Sequence, residues 1–562
     1  MSKIEKTVCW VIGAFFLVSV FLLATNSLGD YDTGFHLATG RYIVEHKEIP
    51  LYDVFSYTAS GKRLIAHYWL SDVVFFLLFE IFGPWGLVLA VAALGAVTYA
   101  LVLATVLVRR HFIPLAATFL VPFIYFTMRL WEVRPQVFSY LFVALLVYVL
   151  ERWRSSGKNA FLWVLVPLFL LWANMHAGVT LGCAIVWLYG AWAVWQWYWE
   201  RKKFPVLPLV VAALSSLAVL VNPNGVAILT YSSIIAKATK EAGIQEWMSL
   251  VTFAGTQLKY RVFLWSSVVI TAAGLWLVSR RARPLQRLDI ISAGLVSAAF
   301  VLPLISVRHI AFFPLLAVPI AAGELASYAQ SRPRWPRMLQ ILWIPMVALV
   351  MLSTLAGLLH VRKMPVWNRV TLPIGAVDFI ESERVQGPLF NLLESGGYLM
   401  WRLWPGEKVF IDGRSELYEG TINDDYFRML SRAAGWETLV DSVYGFNTVI
   451  LHYRAAAVGS GKNLVLDFAR ALATQKQFKL VYWDDAAIVL VRDAAPNTDV
   501  VKRFAYEIIG PYVEPESIPP ALYERAGREF DRALKASHGS DVIENFAFRF
   551  VLKQRQEAGT GF

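Results

Sequence analysis

The segment Asp30-Tyr31-Asp32-Thr33-Gly34-Phe35-His36 sets two carboxylates and an imidazole within seven residues, just beyond the first long apolar run of the chain. Carboxylates and imidazoles are the side chains that accept and return protons in catalysis. Asp32 and His36 stand four apart, so on a helix they share a face and form a candidate pair of ligands for a divalent metal ion. Further polar residues are scattered: His67, Arg129, Glu132, Arg134, Gln136, Asn174, His176, Asn222, Asn224, Glu246, Arg308 and His309. Only the elements between them can bring them together.

Those elements read as membrane helices. Hydrophobic residues make up 57% of the chain and charged residues 17%, with mean hydropathy +0.51, which excludes an ordinary soluble protein. Apolar runs fall at roughly 8–25, 84–108, 112–128, 135–150, 160–174, 177–198, 206–221, 261–279, 288–306, 310–328 and 338–359. Each reaches or approaches the roughly 20 residues that a bilayer core about 30 Å thick requires. The net charge of +11 does not point to nucleic acid, because Lys and Arg gather in short clusters between apolar runs, which is a topology signal. Cys9 and Cys183 lie inside apolar runs and imply no disulfide framework. Lys3 and Lys6 precede the first run with no small-residue cleavage site after it, which reads as an uncleaved anchor.

Orientation turns on the stretch Trp69 to Phe82. If it crosses, the clusters Arg109-Arg110, Arg152/Arg154/Lys158, Arg201-Lys202-Lys203, Arg280-Arg281/Arg283/Arg287 and Arg332/Arg334/Arg337 face outward, against the positive-inside rule. About 14 residues carrying Asp72 and Glu80 suit an interfacial or re-entrant helix better. The expectation is an α-helical polytopic protein of the inner cell membrane with about eleven spans, a cytoplasmic amino terminus and a carboxyl-terminal domain on the outer, periplasmic side. The scattered acids, histidines and isolated arginines all come to the outer ends of helices, where they can converge on one site.

This layout resembles the GT-C glycosyltransferases, which include protein mannosyltransferases, aminoarabinose transferases and oligosaccharyltransferases. The resemblance covers about residues 8 to 360. It rests on one span, a long outer loop opening with the acidic motif at Asp30 and Asp32, and a surface helix ending in Phe82-Gly83. Many relatives have adjacent Asp-Glu, whereas this chain spaces its acids by one. His67-Tyr68-Trp69 stands where mannosyltransferase-like members carry His-Pro-Pro, and the signature Trp-Trp-Asp-Tyr-Gly is absent, which argues against asparagine-linked glycan transfer. The resemblance implies transfer of a sugar from a polyprenyl-phosphate donor in the membrane to an extracytoplasmic acceptor, with an acid of the first outer loop catalytic. Asp32 and Asp30 match that acid. Arg129, Arg134, Arg308 and His309 suit the departing phosphate, since guanidinium pairs with phosphate oxygens in bidentate fashion. His67, Glu132, His176, Glu246 and Trp247 are candidate supporting or acceptor-binding groups. A divalent metal at Asp32 and His36, which some relatives use, is the one cofactor in view.

The expected domains are residues 1–362, with outer loops 26–83 and 222–260, and residues 363–562. The second reads as a small α/β domain with an antiparallel edge: strands near 388–393, 408–411 and 448–451, a hairpin over 479–492 turning at Asp484-Asp485, and helices between them. Asn391, Asp412 and Arg414 follow strands at the end where α/β sheets bind ligands, and form a candidate soluble-domain site. Gly396-Gly397 lacks the Lys-Ser/Thr of a P-loop. Two other classes of function share parts of this pattern. A lipid-linked glycan polymerase or ligase needs the outer arginines but not the early acids; a transporter or assembly scaffold should show internal repeats or broken helices at mid-membrane.

Overall fold

A computed structural model of the chain describes residues 3–109, 113–200, 203–231, 245–280, 289–330, 335–453, 463–474, 477–537 and 539–557. Arg110, Arg201, Lys202, Arg281, Arg283, Arg287, Arg332 and Arg334 of the basic clusters, and residues 232–244 of the second long loop, lie outside them. The chain folds into two units, one of Met1–Leu28 with Ile65–Val366, the other of Gly29–Leu64 with Trp367–Phe562.

The first unit is helical. Among the described residues six helices are long and apolar enough to cross a membrane: Trp69–Val108, Gln136–Ser156, Val179–Glu200, Leu258–Arg280, Val307–Tyr328 and Pro345–Lys363. Five shorter apolar helices lie at Cys9–Ala24, Pro114–Leu130, Asn159–Met175, Val206–Ala218 and Ile290–Ile305. By length and composition the chain is a multi-pass membrane protein. Gly83 breaks the helix Trp69–Val108, with φ 68° and ψ −173°, and Pro84 restarts it. Glycine tolerates that backbone and proline suits a first helical turn, so residues 69–82 and 84–108 are two rods.

Small residues let the helices approach. Gly357 abuts Leu22, and the hydroxyls of Ser19 and Thr354 lie 2.7 Å apart between the helices Lys3–Ala24 and Trp335–Lys363. At the far end of Gln136–Ser156 four charges, two from that helix and two from the caps of neighbouring helices, balance. Arg109 Nε stands 3.0 Å from Glu151 Oε2, Arg154 Nη2 3.1 Å from Asp289 Oδ1, and the Tyr189 hydroxyl donates to Glu151 Oε1 at 2.6 Å. Gln136 to Glu151 is about 22 Å of helix, so this network is remote from the groups near Gln136.

The second unit holds a four-stranded sheet in the order β1-β2-β4-β3, with β1 Leu389–Asn391, β2 Thr448–His452, β3 Phe478–Trp483 and β4 Ala487–Arg492. β1 and β2 are parallel, and β4 pairs antiparallel with both β2 and β3. The strands are buried almost throughout, as a sheet covered on both faces requires. Residues 408–411, expected as a strand, make only a single parallel bridge, Val409 to Ser56. The partner is an irregular loop rather than a sheet strand, so no ladder propagates. Gly396-Gly397 lies inside the helix Leu393–Leu403.

Segment 29–64 is part of this unit's core. Ala59 and Leu64 are buried with Phe390, Phe410 and Tyr418, the backbones of Tyr57 and Phe55 bracket Val409, and the Tyr57 hydroxyl donates to the Leu389 carbonyl at 3.0 Å. Its helix Thr33–His46 packs on Leu393–Leu403 so closely that a Cβ on Gly34 would lie 2.3 Å from the Gly397 carbonyl oxygen.

Candidate functional site

In the second unit the acidic motif opens a helix. Asp30 Oδ1 accepts the Asp32 backbone N–H at 3.0 Å, an Asx turn that leads into Thr33–His46. Asp32 sits at the helix start without a side-chain cap bond, and its Oδ1 rests against Gly413, where an added Cβ would lie 2.5 Å away. Both acids are half-buried, a setting in which a carboxylate still meets a substrate. His36 is buried and tilted against the Phe35 ring, with centroids 4.1 Å apart. Among the described residues no three His, Cys, Asp or Glu side chains group as metal ligands.

Asn391, Asp412 and Arg414 are buried, and all their side-chain polar atoms except Arg414 Nη1 are engaged by the unit itself. Asn391 donates to the Leu392 and Ile411 carbonyls and accepts the Phe410 N–H. Arg414 Nη2 lies 2.7 Å from Asp412 Oδ2 and 2.8 Å from Asp53 Oδ1. Asp53, which sequence reading did not single out, accepts from the Ser56 backbone at 3.0 Å and hydroxyl at 2.6 Å, and Tyr418 donates to Asp412 Oδ2 at 2.5 Å. Burial pushes the Asp412 carboxyl up, and the Arg414 guanidinium more than reverses this, holding it below the ordinary carboxylate range. The Asp53–Arg414–Asp412 chain ties segment 29–64 to the stretch after Ile411.

In the first unit, residues far apart in sequence converge. Arg134 Nη1 is 3.0 Å and Arg308 Nε 3.6 Å from the same oxygen, Glu246 Oε2. Glu132 approaches Arg134 Nε at 3.9 Å, Arg308 donates to Gln136 Oε1 at 2.8 Å, and its guanidinium lies over the Trp247 ring, 4.9 Å from the centroid. Pro135 ends a turn and starts the helix Gln136–Ser156, which fixes Arg134 and Gln136 at that helix's mouth. Arg308 lies in the 3-10 turn Val307–Ala311, and Glu246 and Trp247 in the 3-10 turn Gln245–Trp247. Arg129 is exposed on the turn Met128–Leu130, outside this network.

Two imidazoles lie beside it. His176 Nδ1 accepts the Gly178 N–H at 3.0 Å, so it carries no proton, and the Ser139 hydroxyl donates to it at 2.8 Å while accepting from Trp172 Nε1 at 2.7 Å. His67 Nδ1 donates to the Ile65 carbonyl at 3.1 Å. The hydrogen-bond network thereby assigns the proton to Nε2 in His176 and to Nδ1 in His67. Their rings are 6.4 Å apart. Burial drives the His67 pKa down to about 3, and Arg308 adds to the effect against the Ile65 carbonyl. Burial also holds His176 well below its usual value, helped by His67, Arg308 and His309. His309 follows Arg308 in the turn Val307–Ala311, with its Nδ1 3.3 Å from the Leu302 carbonyl. Ser139 and Trp172 carry no sequence signal, since a serine and a tryptophan in apolar helices are commonplace.

Arg134, Arg308, Glu132, Glu246, Trp247, His67, His176 and His309 therefore belong to one neighbourhood of the first unit, while Asp30, Asp32, His36, Asn391, Asp412 and Arg414 belong to the second. The fold is similar to that of a solved membrane oligosaccharyltransferase. A solved structure of the archaeal oligosaccharyltransferase AglB from Archaeoglobus fulgidus, in complex with an inhibitory peptide and a dolichol-phosphate, matches 85% of this chain and 72% of its own, with TM-score 0.55 and 11% identity. ArnT from Cupriavidus metallidurans matches 87% of this chain and 98% of its own in the apo state, with TM-score 0.48 and 14% identity. Bound to undecaprenyl phosphate, it matches at TM-score 0.47 and 12% identity, over 88% of this chain and 98% of its own. No family model and no curated protein matches the sequence.

Proposed function

We propose that this protein is a membrane glycosyltransferase that moves a sugar from a polyprenyl-phosphate donor to an extracytoplasmic acceptor, a glycan, lipid or protein. The observation that carries the reading is the convergence of Arg134 and Arg308 on one anionic oxygen, braced by Gln136 and Trp247. Two arginines, one nearly buried and one partly so, that share an anion suit a phosphate. The likeness of fold to AglB and the dolichol-phosphate in the AglB complex support the same class of donor.

In this mechanism Asp32, or Asp30, takes the proton of an acceptor hydroxyl as its oxygen bonds to the anomeric carbon. The bond from that carbon to the phosphate oxygen breaks, and its electron pair leaves with the phosphate, whose charge Arg134 and Arg308 stabilise. Arg129 and His309 are auxiliary donor groups, and His67, Glu132, His176, Glu246 and Trp247 shape the surroundings. A divalent ion, if used, takes Asp32 and His36 as protein ligands. The carboxyl-terminal domain stands on the outer side in this scheme.

A general base contributes about 10²- to 10⁴-fold. Asp32→Ala and, separately, Asp30→Ala are measured for transfer from a lipid-phosphate sugar to acceptor, with expression monitored. Loss of that order in either variant, at normal expression, is expected. Wild-type rates in both sink the catalytic assignment and favour a glycan polymerase or ligase, which keeps the arginines without the acids. A protein that moves lipid-linked substrate with no transfer is a transporter.

A further inference from the structure

We infer that the Glu246 carboxylate is a stand-in for the donor's phosphate, holding the Arg134–Arg308 seat until a lipid phosphate displaces it. The inference rests on the donor reading above. One oxygen, Glu246 Oε2, takes both guanidiniums, at 3.0 and 3.6 Å, which is how a single anion bridges two cations. The three side chains differ in freedom: Glu246 is 42% exposed, Arg134 9% and Arg308 24%. The carboxylate can move to water, whereas the cations have little room to follow.

Contacts that do not involve the Glu246 carboxylate hold the seat. Arg308 keeps its bond to Gln136 and its place over Trp247, and Arg134 keeps Glu132 within 3.9 Å. The main chain at Glu246 is pinned as well, because the Ser306 hydroxyl donates to its carbonyl at 2.9 Å and Val307 N–H donates to Met248 at 2.9 Å. Only the Glu246 side chain has to swing. Two neighbouring guanidiniums without an anion would repel one another in a poorly solvated setting, so the carboxylate keeps the empty seat assembled. A phosphate offers more oxygens and more charge than a carboxylate and can pair with both arginines at once.

The exchange has a signed consequence, opposite to that of a plain structural ion pair. Full-length protein in detergent is titrated with undecaprenyl phosphate and with undecaprenol, for wild type and Glu246→Gln. Releasing two partly exposed ion pairs should tighten phosphate binding roughly three- to tenfold and leave undecaprenol unchanged. Glu246→Asp, which keeps the charge but shortens the reach, should fall between the two and decides the matter if Glu246→Gln does not fold. Equal or weaker phosphate binding by the variants, with wild type binding, overturns the stand-in and leaves the donor reading in place. Binding by none of them overturns both.

Discussion

His67 and His176 are neutral imidazoles that present opposite faces to their surroundings, one with an unprotonated Nε2 and the other with Nε2–H. Such a pair can accept and donate without adding charge to a site already holding two arginines. Both have folded pKa values depressed by burial, His67 to about 3. The unfolded chain protonates them near 6.5, so their contribution is whole above that pH and is lost as pH falls toward the folded value. For His67 at pH 5 the loss is about 2 kcal/mol. Thermal unfolding of detergent-solubilised protein at pH 7.5 and pH 5 should show the midpoint falling on acidification, and His67→Gln should reduce that fall. A midpoint that does not move with pH would refute neutral burial. At this scale Arg134, Arg308 and Glu246 were legible because charges stand out in an apolar chain and cannot be left unpaired near membrane depth. Ser139 and Trp172 were not, since hydroxyl and indole become informative only once a hydrogen-bond partner is known.

Helix Thr33–His46 and the stretch ending in Asp412-Gly413-Arg414 set the position of Asp32, and their glycines respond differently to substitution. A Cβ on Gly34 would meet the Gly397 carbonyl oxygen at 2.3 Å, which is backbone and cannot yield cheaply. A Cβ on Gly413 would meet the Asp32 carboxylate at 2.5 Å, the far end of a side chain rather than backbone. Gly34→Ala should therefore lower the unfolding midpoint. Gly413→Ala should leave it nearly unchanged while cutting sugar transfer, by as much as about 10²-fold for a displacement of about 1 Å. Thermal unfolding and transfer rates measured on both variants check the pair; full activity in Gly413→Ala would show that the Asp32 position is not critical. The paired glycines were visible as Gly396-Gly397, yet sequence offered only a weak phosphate-loop reading. Close backbone approach between segments roughly 360 residues apart leaves no periodic trace. The hairpin over 479–492 was readable because alternation and an Asp-Asp turn are local signals.

For the whole molecule, the proposed topology puts the carboxyl-terminal domain on the outer side, and a reporter fused after residue 365 tests it. Activity of an outer-side reporter is expected; a cytoplasmic signal would overturn the eleven-span topology. The membrane class was legible from composition alone, and the division at Gly29–Leu64 was not, because an irregular loop that completes another unit's core looks like any polar connection. That division has a consequence in time. Asp32, Asp53 and Leu64 are synthesised early, but Gly397, Asp412 and Arg414, against which they seat, follow roughly 350 residues later, about 20 to 70 s at ordinary elongation rates. Throughout that interval the loop's buried carboxylate Asp53 and its apolar residues Ala59 and Leu64 have no core to enter. The acids of the first loop are thus made roughly 350 residues before the segment that seats them, so the nascent chain carries that loop without its core throughout the interval.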